Sequence, residues 1–234
     1  MLPDYDFDIH KPLSFMYYFT KQYMDQTYRV LLPMKSLKGK TLWDIGIGRG
    51  RSLTLFKALG IQKVVGFDVN ESETQYADEQ SKRLELDVQV IIDSAHNEKL
   101  KKIPDNSCDA VSLMNILFCA QDNIARKTLV DEVKRILKID GILIVVDMQK
   151  YSLMWLFSFL SRKPWKFGNQ NELIELMAPL LLISSADSNH FYFINSFVDI
   201  LSKWIGHNIC FKLNSLFKAL RIPPSTRTFV FTKK

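Results

Sequence analysis

Residues 40–52 constrain this chain more than any other stretch, because three alternating glycines, Gly46, Gly48 and Gly50, stand directly behind the short run Thr41 to Ile45. That run is mostly apolar and bounded by glycines, the signature of a parallel strand buried on both faces. From Ser52 to Leu59 helical spacing takes over, with Leu53, Leu55, Phe56 and Leu59 as its apolar positions. Strand, glycine turn, helix is the unit that cradles a nucleotide at the carboxyl edge of a sheet. Glycine serves there because the backbone must turn tightly and let a ligand approach, which a Cβ prevents.

The alternation continues. Gln62 to Phe67 reads as a second strand that ends on Asp68, and Asn70 is placed to cap a helix reaching Arg83. Val88 to Ile92 is a third strand, followed by Asp93 and Ser94. A loop from Ile103 through Pro104, Asn106 and Asp109 leads into a fourth strand that ends near Met114, with Asn115 at its carboxyl end. Ile124 to Leu137 is an amphipathic helix, closed by a turn in which Gly141 is expected to be the left-handed residue. Ile142 to Val146 is apolar throughout, as a central parallel strand requires. Ile209 to Leu213 is expected as the sixth strand and Thr226 to Phe231 as the seventh. Before the first strand, residues 12–32 read as a helix packed outside the sheet, with Tyr17 and Tyr18 among its aromatic positions.

At 234 residues the chain is most simply one domain, 1–234, and long enough to bury a full core. A net charge of +6 allows contact with anionic membranes, nucleic acid or a phosphorylated substrate, although many basic enzymes bind none of these. Cys108, Cys119 and Cys210 form no Cys-x-x-Cys pair, so neither a zinc site nor a redox motif is suggested; their spacing fits reduced thiols and a cytoplasmic protein. The acidic start lacks the basic and apolar regions of a signal peptide, and no apolar run is long enough for a spanning helix. No metal-ligand pattern and no phosphate-loop lysine occur, so no metal is expected.

Asp44 two residues before the first glycine, the Gly-x-Gly-x-Gly alternation and Asp68 at the end of the next strand together resemble the first motif of class I S-adenosylmethionine (SAM)-dependent methyltransferases, of the small-molecule, type 11-like kind. A nicotinamide dinucleotide turn instead wants Gly-x-Gly-x-x-Gly, and Arg51 occupies the position of its last glycine. Pro104 to Asp109 also resembles that family's Pro-Asp-Asn-Ser-Phe-Asp stretch, with Cys108 in the aromatic's place. The resemblance implies an α/β, Rossmann-like, seven-stranded and mostly parallel sheet, with its last strand antiparallel beside the fifth. It implies SAM as cofactor, bound by Asp44, Gly46, Gly48, Gly50, Asp68, Val69, Asp93, Ser94 and Asn115. A carboxylate at Asp68 presents two acceptor oxygens to ribose hydroxyls. The resemblance further places Val69 against the adenine face, Asp93 at the adenine amine with Ser94 beside it, and Asn115 where the methionine part meets the acceptor. Asp68 as a helix cap and Asp93 as a turn acid are the competing readings.

Two departures bear on the acceptor. Methyltransferases of exocyclic base amines carry Asn-Pro-Pro-Tyr or Asp-Pro-Pro-Tyr where this chain has Asn115, Ile116, Leu117 and Phe118, which argues against nucleobase methylation. Phe118 and Cys119 stand where histidines are common in small-molecule members, so the family's usual base is not carried over. His190, in a stretch resembling the segment before the family's last helix, is the best-placed histidine for general base catalysis.

Residues 149–194 leave the alternating pattern and are expected to form a helical cap over the acceptor side. Tyr151 to Leu160 is apolar nearly all round, with Lys150 before it and Arg162, Lys163 and Lys166 after it. Such a helix must bury against the second cap segment, against an apolar acceptor, or in a membrane interface through residues 150–167. The expected function is SAM-dependent O-methylation of a small molecule, a sugar or lipid-linked intermediate. The alternatives are C-methylation of a quinone or isoprenoid lipid precursor and, from another class, a SAM-binding module without catalysis.

Overall fold

The computed structural model describes residues 24–93, 98–120, 122–149, 168–189, 216, 219–220 and 226–234. Seven strands form one sheet: β1 (Thr41–Ile45), β2 (Lys63–Asp68), β3 (Asp87–Ile92), β4 (Cys108–Met114), β5 (Leu137–Met148), β6 (Leu181–Asn189) and β7 (Thr226–Thr232). Their order is β3-β2-β1-β4-β5-β7-β6. The first five strands pair in parallel, and β7 inserts antiparallel between β5 and β6. The order reverses between β1 and β4, so their carboxyl ends open the crevice in which sheets of this kind bind ligands.

Alternation along the strands sends side chains into two cores. Helix α1 (residues 24–31), α2 (Leu53–Ala58) and α3 (Glu71–Leu84) cover one face, where Met24, Leu31, Leu42, Phe56, Ala77 and Val230 pack together. The short α4 (Glu98–Lys101), α5 (Asn123–Ile136) and α6 (Gln170–Met177) cover the other, around Ile45, Val111, Val133, Leu143, Leu173 and Phe229. Burying both faces is what requires the near-continuous apolar runs of β4 and β5. In β7 the alternation works as the sequence predicts. Thr228 meets Thr27 of α1 at 2.8 Å, Val230 lies in the first core, and Phe229 and Phe231 lie in the second.

Three sequence expectations need correction. The chain is not helical throughout 149–194, because Leu181–Asn189 is the outer strand β6. Its three apolar residues are followed by small and polar ones, as an edge strand partly open to solvent allows, with Leu181 and Ile183 each nearly half exposed. That strand, rather than Ile209 to Leu213, is the sixth of the described sheet; residues 209–213 lie outside the described residues. At the irregularity within the first part of β5, where its register with β4 shifts, Asp140 rather than Gly141 is left-handed, with φ 59°. Gly141 is there for space, since a Cβ would lie 2.8 Å from the Lys138 carbonyl oxygen. The apolar stretch 151–160 and its basic flank also fall outside the described residues.

Candidate active site

The site begins beneath the glycine turn. Asp44 is 1 % exposed and takes the hydroxyl of Ser52 on Oδ2 at 2.6 Å and that of Ser112 on Oδ1. Burial pushes its carboxyl up to about 6, against the opposing pull of both hydroxyls. Asp44 thus ties β4 and the start of α2 to the end of β1 and braces the turn from below.

Above it the backbone runs left-handed at Gly46 (φ 83°), Gly48 (φ 48°) and Gly50 (φ 72°). Gly50 also lets α3 pack close, since a Cβ would lie 2.8 Å from Ala77 Cα. The Gly48 N–H donates to Asp68 Oδ2 at 2.7 Å, and the Asn70 N–H donates to Asp68 Oδ1 at 3.0 Å. Asp68 therefore joins the turn to the start of α3, and each of its oxygens keeps a further lone pair for a ligand. Asn70, not Asp68, is the helix cap, accepting from the backbone N–H groups of Ser72 and Glu73. Val69 is 68 % exposed beside it, and the Asp93 N–H donates to the Asp68 carbonyl at 2.8 Å. These contacts gather the carboxyl ends of β1, β2 and β3.

Asn115 follows β4 in a left-handed conformation (φ 56°), fixed by its N–H on the Val146 carbonyl at 2.7 Å. Its side-chain Oδ1 is buried and has no hydrogen-bond partner. A cavity of about 210 Å³ opens between these parts, lined among others by Met24, Gly46, Gly48, Arg51, Glu73 and Asn115. Arg49 belongs to its wall: the guanidinium stacks 3.7 Å over the Tyr76 ring and its Nε is 3.3 Å from Glu73 Oε2. Arg51 makes no ion pair with a described residue.

Beyond Asn115, Leu117 and Phe118 turn inward in a single 3-10 turn, and Phe118 is 7 % exposed. Cys119 Sγ sits 4.0 Å from the Asn115 carbonyl oxygen. Near the end of β5, Asp147 is fully buried and paired with Arg126 of α5 at 2.9 Å. Burial pushes the Asp147 carboxyl up to about 7 despite that cation. A Cβ on Gly168 would lie 3.1 Å from Arg126 Nη2, so the chain entering α6 passes directly over the pair.

The fold thus brings together Gly46, Gly48, Asp68, Val69, Asp93 and Asn115 at one edge, with Gly50 at the α3 contact and Asp44 underneath. Ser94 and His190 lie outside the described residues, as do the other three histidines and both Tyr17 and Tyr18. Reading the sequence missed Met24, Arg51 and Glu73. For Arg51 a signal existed, a guanidinium carried directly behind the glycine turn, whereas Met24 and Glu73 reach the cavity only through helix packing.

Residues 43–145 match the family model of a methyltransferase domain. Over that stretch the chain is similar to methyltransferase domains. Among curated proteins none matches it by sequence. Solved structures similar to this chain include a geranyl diphosphate C-methyltransferase from Streptomyces coelicolor, solved with Mg2+, geranyl diphosphate and S-adenosyl-L-homocysteine. It is 15% identical, with 90% of this chain and 79% of that chain covered and a TM-score of 0.64. A SAM-dependent methyltransferase from Archaeoglobus fulgidus is 18% identical over 90% of this chain and 94% of that one, with a TM-score of 0.59. The cyclase SpnF is 20% identical over 84% and 75%, with a TM-score of 0.60. At these identities the likeness speaks to the fold.

The cofactor that goes with such a domain is SAM, and the residues present fit it. The glycine turn keeps backbone next to open space, Asp68 retains acceptor capacity for ribose, and the orphaned Asn115 Oδ1 offers an acceptor at the cavity wall. Among the described residues, no helix is long and apolar enough to cross a membrane.

Proposed function

We propose that the protein transfers a methyl group from SAM to an oxygen of a small-molecule acceptor, a sugar or lipid-linked intermediate. The observation that carries the reading is the stretch after β4. In methyltransferases of base amines an aromatic here stacks on a flipped base. In this chain Phe118 is packed inside the protein and no proline holds the segment open. What lines the cavity on that side is Met24, Met114 and Asn115, a surface suited to a partly apolar ligand.

Bound SAM supplies an electrophilic methyl on a sulfonium. The chain's own part is to bind, orient and exclude water. Asp68 and the turn fix the nucleoside end, and Asn115 lies where that end gives way to the acceptor. Positioning of this kind accounts for a large share of the barrier lowering in direct displacement. We assign His190 as the base for an acceptor that keeps its proton at neutral pH. Residues 150–167, apolar with a basic flank, support contact of the acceptor side with anionic membranes.

The test is turnover with SAM and panels of hydroxylated sugars, phenols and polyprenyl derivatives, followed by mass spectrometry and NMR of the product. An O-methyl product supports the reading, and a methyl on carbon or nitrogen refutes it. C-methylation of an isoprenoid precursor is the second reading, favoured by the fold shared with the geranyl diphosphate C-methyltransferase. SAM binding without turnover of any acceptor would instead favour a non-catalytic module.

A further inference from the structure

The crossover from β3 to β4 leaves part of the sheet uncovered. Its helix α4 is a single turn, and Pro104 closes it off by lacking an N–H and by pushing Ile103 out of helical backbone. Four residues make about 6 Å of helix. The strands it must cover, β1 to β3, have five or six residues each and run for about 16–20 Å. Leu100 and Ile103 are buried in the core on this face. What α4 does not reach remains as a second cavity, of about 460 Å³. Trp43, Phe67 and Ile91 line it, one side chain from each of three neighbouring strands. The Trp43 and Phe67 rings stack with centroids 5.5 Å apart.

This cavity is separate from the one at the glycine turn. That one is walled by Met24 of the first core, whereas Trp43, Phe67 and Ile91 belong to the second, and the two share no described lining residue. Its polar groups are of one sign. Lys99 and Lys102 line it, and no described lining residue is acidic. Lys99 donates to the Ile92 carbonyl at 3.2 Å, a contact that leaves its charge unbalanced. Solvated lysines over a gap in the packing are the plain alternative, but a space of this size lies in the range that holds a small organic ligand. Aromatic walls favour a flat ring system, and ammonium groups beside them favour an anion. We propose that the cavity beneath α4 binds a small aromatic carboxylate, with its rings against Trp43 and its carboxylate taken by Lys99 and Lys102. The site lies on the other face of the sheet from the cofactor crevice and does not depend on what that crevice holds.

Two probes of one shape test it, naphthalene-2-carboxylate and the neutral naphthalene-2-carboxamide, titrated by calorimetry and by NMR of the full chain. The wild-type protein should bind the carboxylate about fivefold or more tightly than the amide, the range of charge-assisted contacts at a partly exposed rim. The carboxylate should shift the indole N–H signal of Trp43, assigned by its loss in Trp43→Phe. Both lysines are exposed, so the double variant Lys99→Met with Lys102→Met should fold. It should bring the carboxylate down to the amide's affinity and leave the amide unchanged, while arginine at both positions should keep the preference. Saturating S-adenosylhomocysteine should not displace the probe. Equal affinities in the wild type, a preference that survives the double methionine variant, an unmoved Trp43 signal, displacement by S-adenosylhomocysteine, or no binding of the carboxylate would each overturn the assignment. Failure of S-adenosylhomocysteine itself to bind would count against the cofactor reading and leave this one standing.

Discussion

The acids of β1 and β5 flank β4, buried alike and partnered in opposite ways. Asp44, on the cofactor side, is held by two neutral hydroxyls from Ser52 and Ser112. Asp147, on the far side, is held by the guanidinium of Arg126. A fixed cation beneath the glycine turn would sit close to a cofactor that itself carries positive charge. Hydroxyl donors support the turn without adding one. Toward β5 no such restriction applies, and a charged pair can clamp the sheet to α5 and to the chain passing over it at Gly168.

The sharpest way to break this contrast is to remove the cation. Arg126→Met leaves Asp147 fully buried without its counter-charge, and removing one member of a buried pair costs about 3–5 kcal/mol. Urea unfolding should record a loss approaching that size only well above pH 7. At pH 7 the loss should be smaller, because the buried carboxyl, already raised to about 7 beside Arg126, takes up a proton once the cation is gone. Pairing Arg126→Met with Asp147→Leu should recover most of it, because the apolar double replacement leaves no stranded charge. A single variant as stable as wild type would mean the pair is not the clamp.

On the cofactor side the largest effect should come from Gly50→Ala. Its φ of 72° disfavours any side chain, and the new Cβ would collide with Ala77 Cα at 2.8 Å. Left-handed strain and overpacking together should cost about 2–4 kcal/mol. The variant should also lose affinity for S-adenosylhomocysteine, as α3 is pushed away from the turn. Stability and binding are coupled here, whereas Arg126→Met should cost stability and leave affinity near the wild-type value.

Asp68→Ala inverts that pattern. Asp68 is only partly buried and bonds Gly48 of the cavity wall, so its loss should change stability less than the Gly50 substitution. It removes the acceptor for the Gly48 and Asn70 N–H groups and, on the proposed reading, the one for ribose. Affinity for S-adenosylhomocysteine should fall about ten- to a hundredfold, measured by calorimetry. Unchanged affinity would show that Asp68 serves the turn alone.

The same division decides what was legible in the sequence. Gly46, Gly48, Gly50 and Asp68 could be read because a tight turn beside a ligand admits few residue types, so composition alone reports geometry. Asn70 as cap was readable for a similar reason. β5 was readable from its continuous apolar run, and β7 from its alternation. β6 was not, because Leu181 to Ile183 is a short apolar stretch that fits a helix or a strand until its neighbour is known, and that neighbour, β7, lies some forty residues on. Asp147 and Arg126 escaped notice for the same reason. They are 21 positions apart, and nothing local in either segment announces the pair. Even Asp44, though singled out, was read as touching the cofactor; the hydroxyls that occupy it come from the next helix and from β4.

The smallest effect separates the two acids by pH. Asp44 titrates near 6 when folded and near 3.8 as a free side chain. A folded value above the unfolded one means the native state holds the proton longer. Its contribution to stability is therefore fully present below about pH 4 and is lost as pH rises through about 6. The slope is at most about 1.4 kcal/mol per pH unit. Asp44→Asn keeps a carbonyl and an amide for the two serine hydroxyls but cannot ionise. Its unfolding free energy should lack this decline, so the gap to wild type should narrow between pH 4.5 and 7 in urea titrations. Asp147 is raised to about 7 by burial against the opposing pull of Arg126 and is untouched in the variant, so any decline that persists toward neutrality belongs to the β5 side. A variant whose pH profile runs parallel to wild type would mean that the acid beneath the turn is already ionised throughout, and that its two hydroxyl bonds outweigh the cost of burying it.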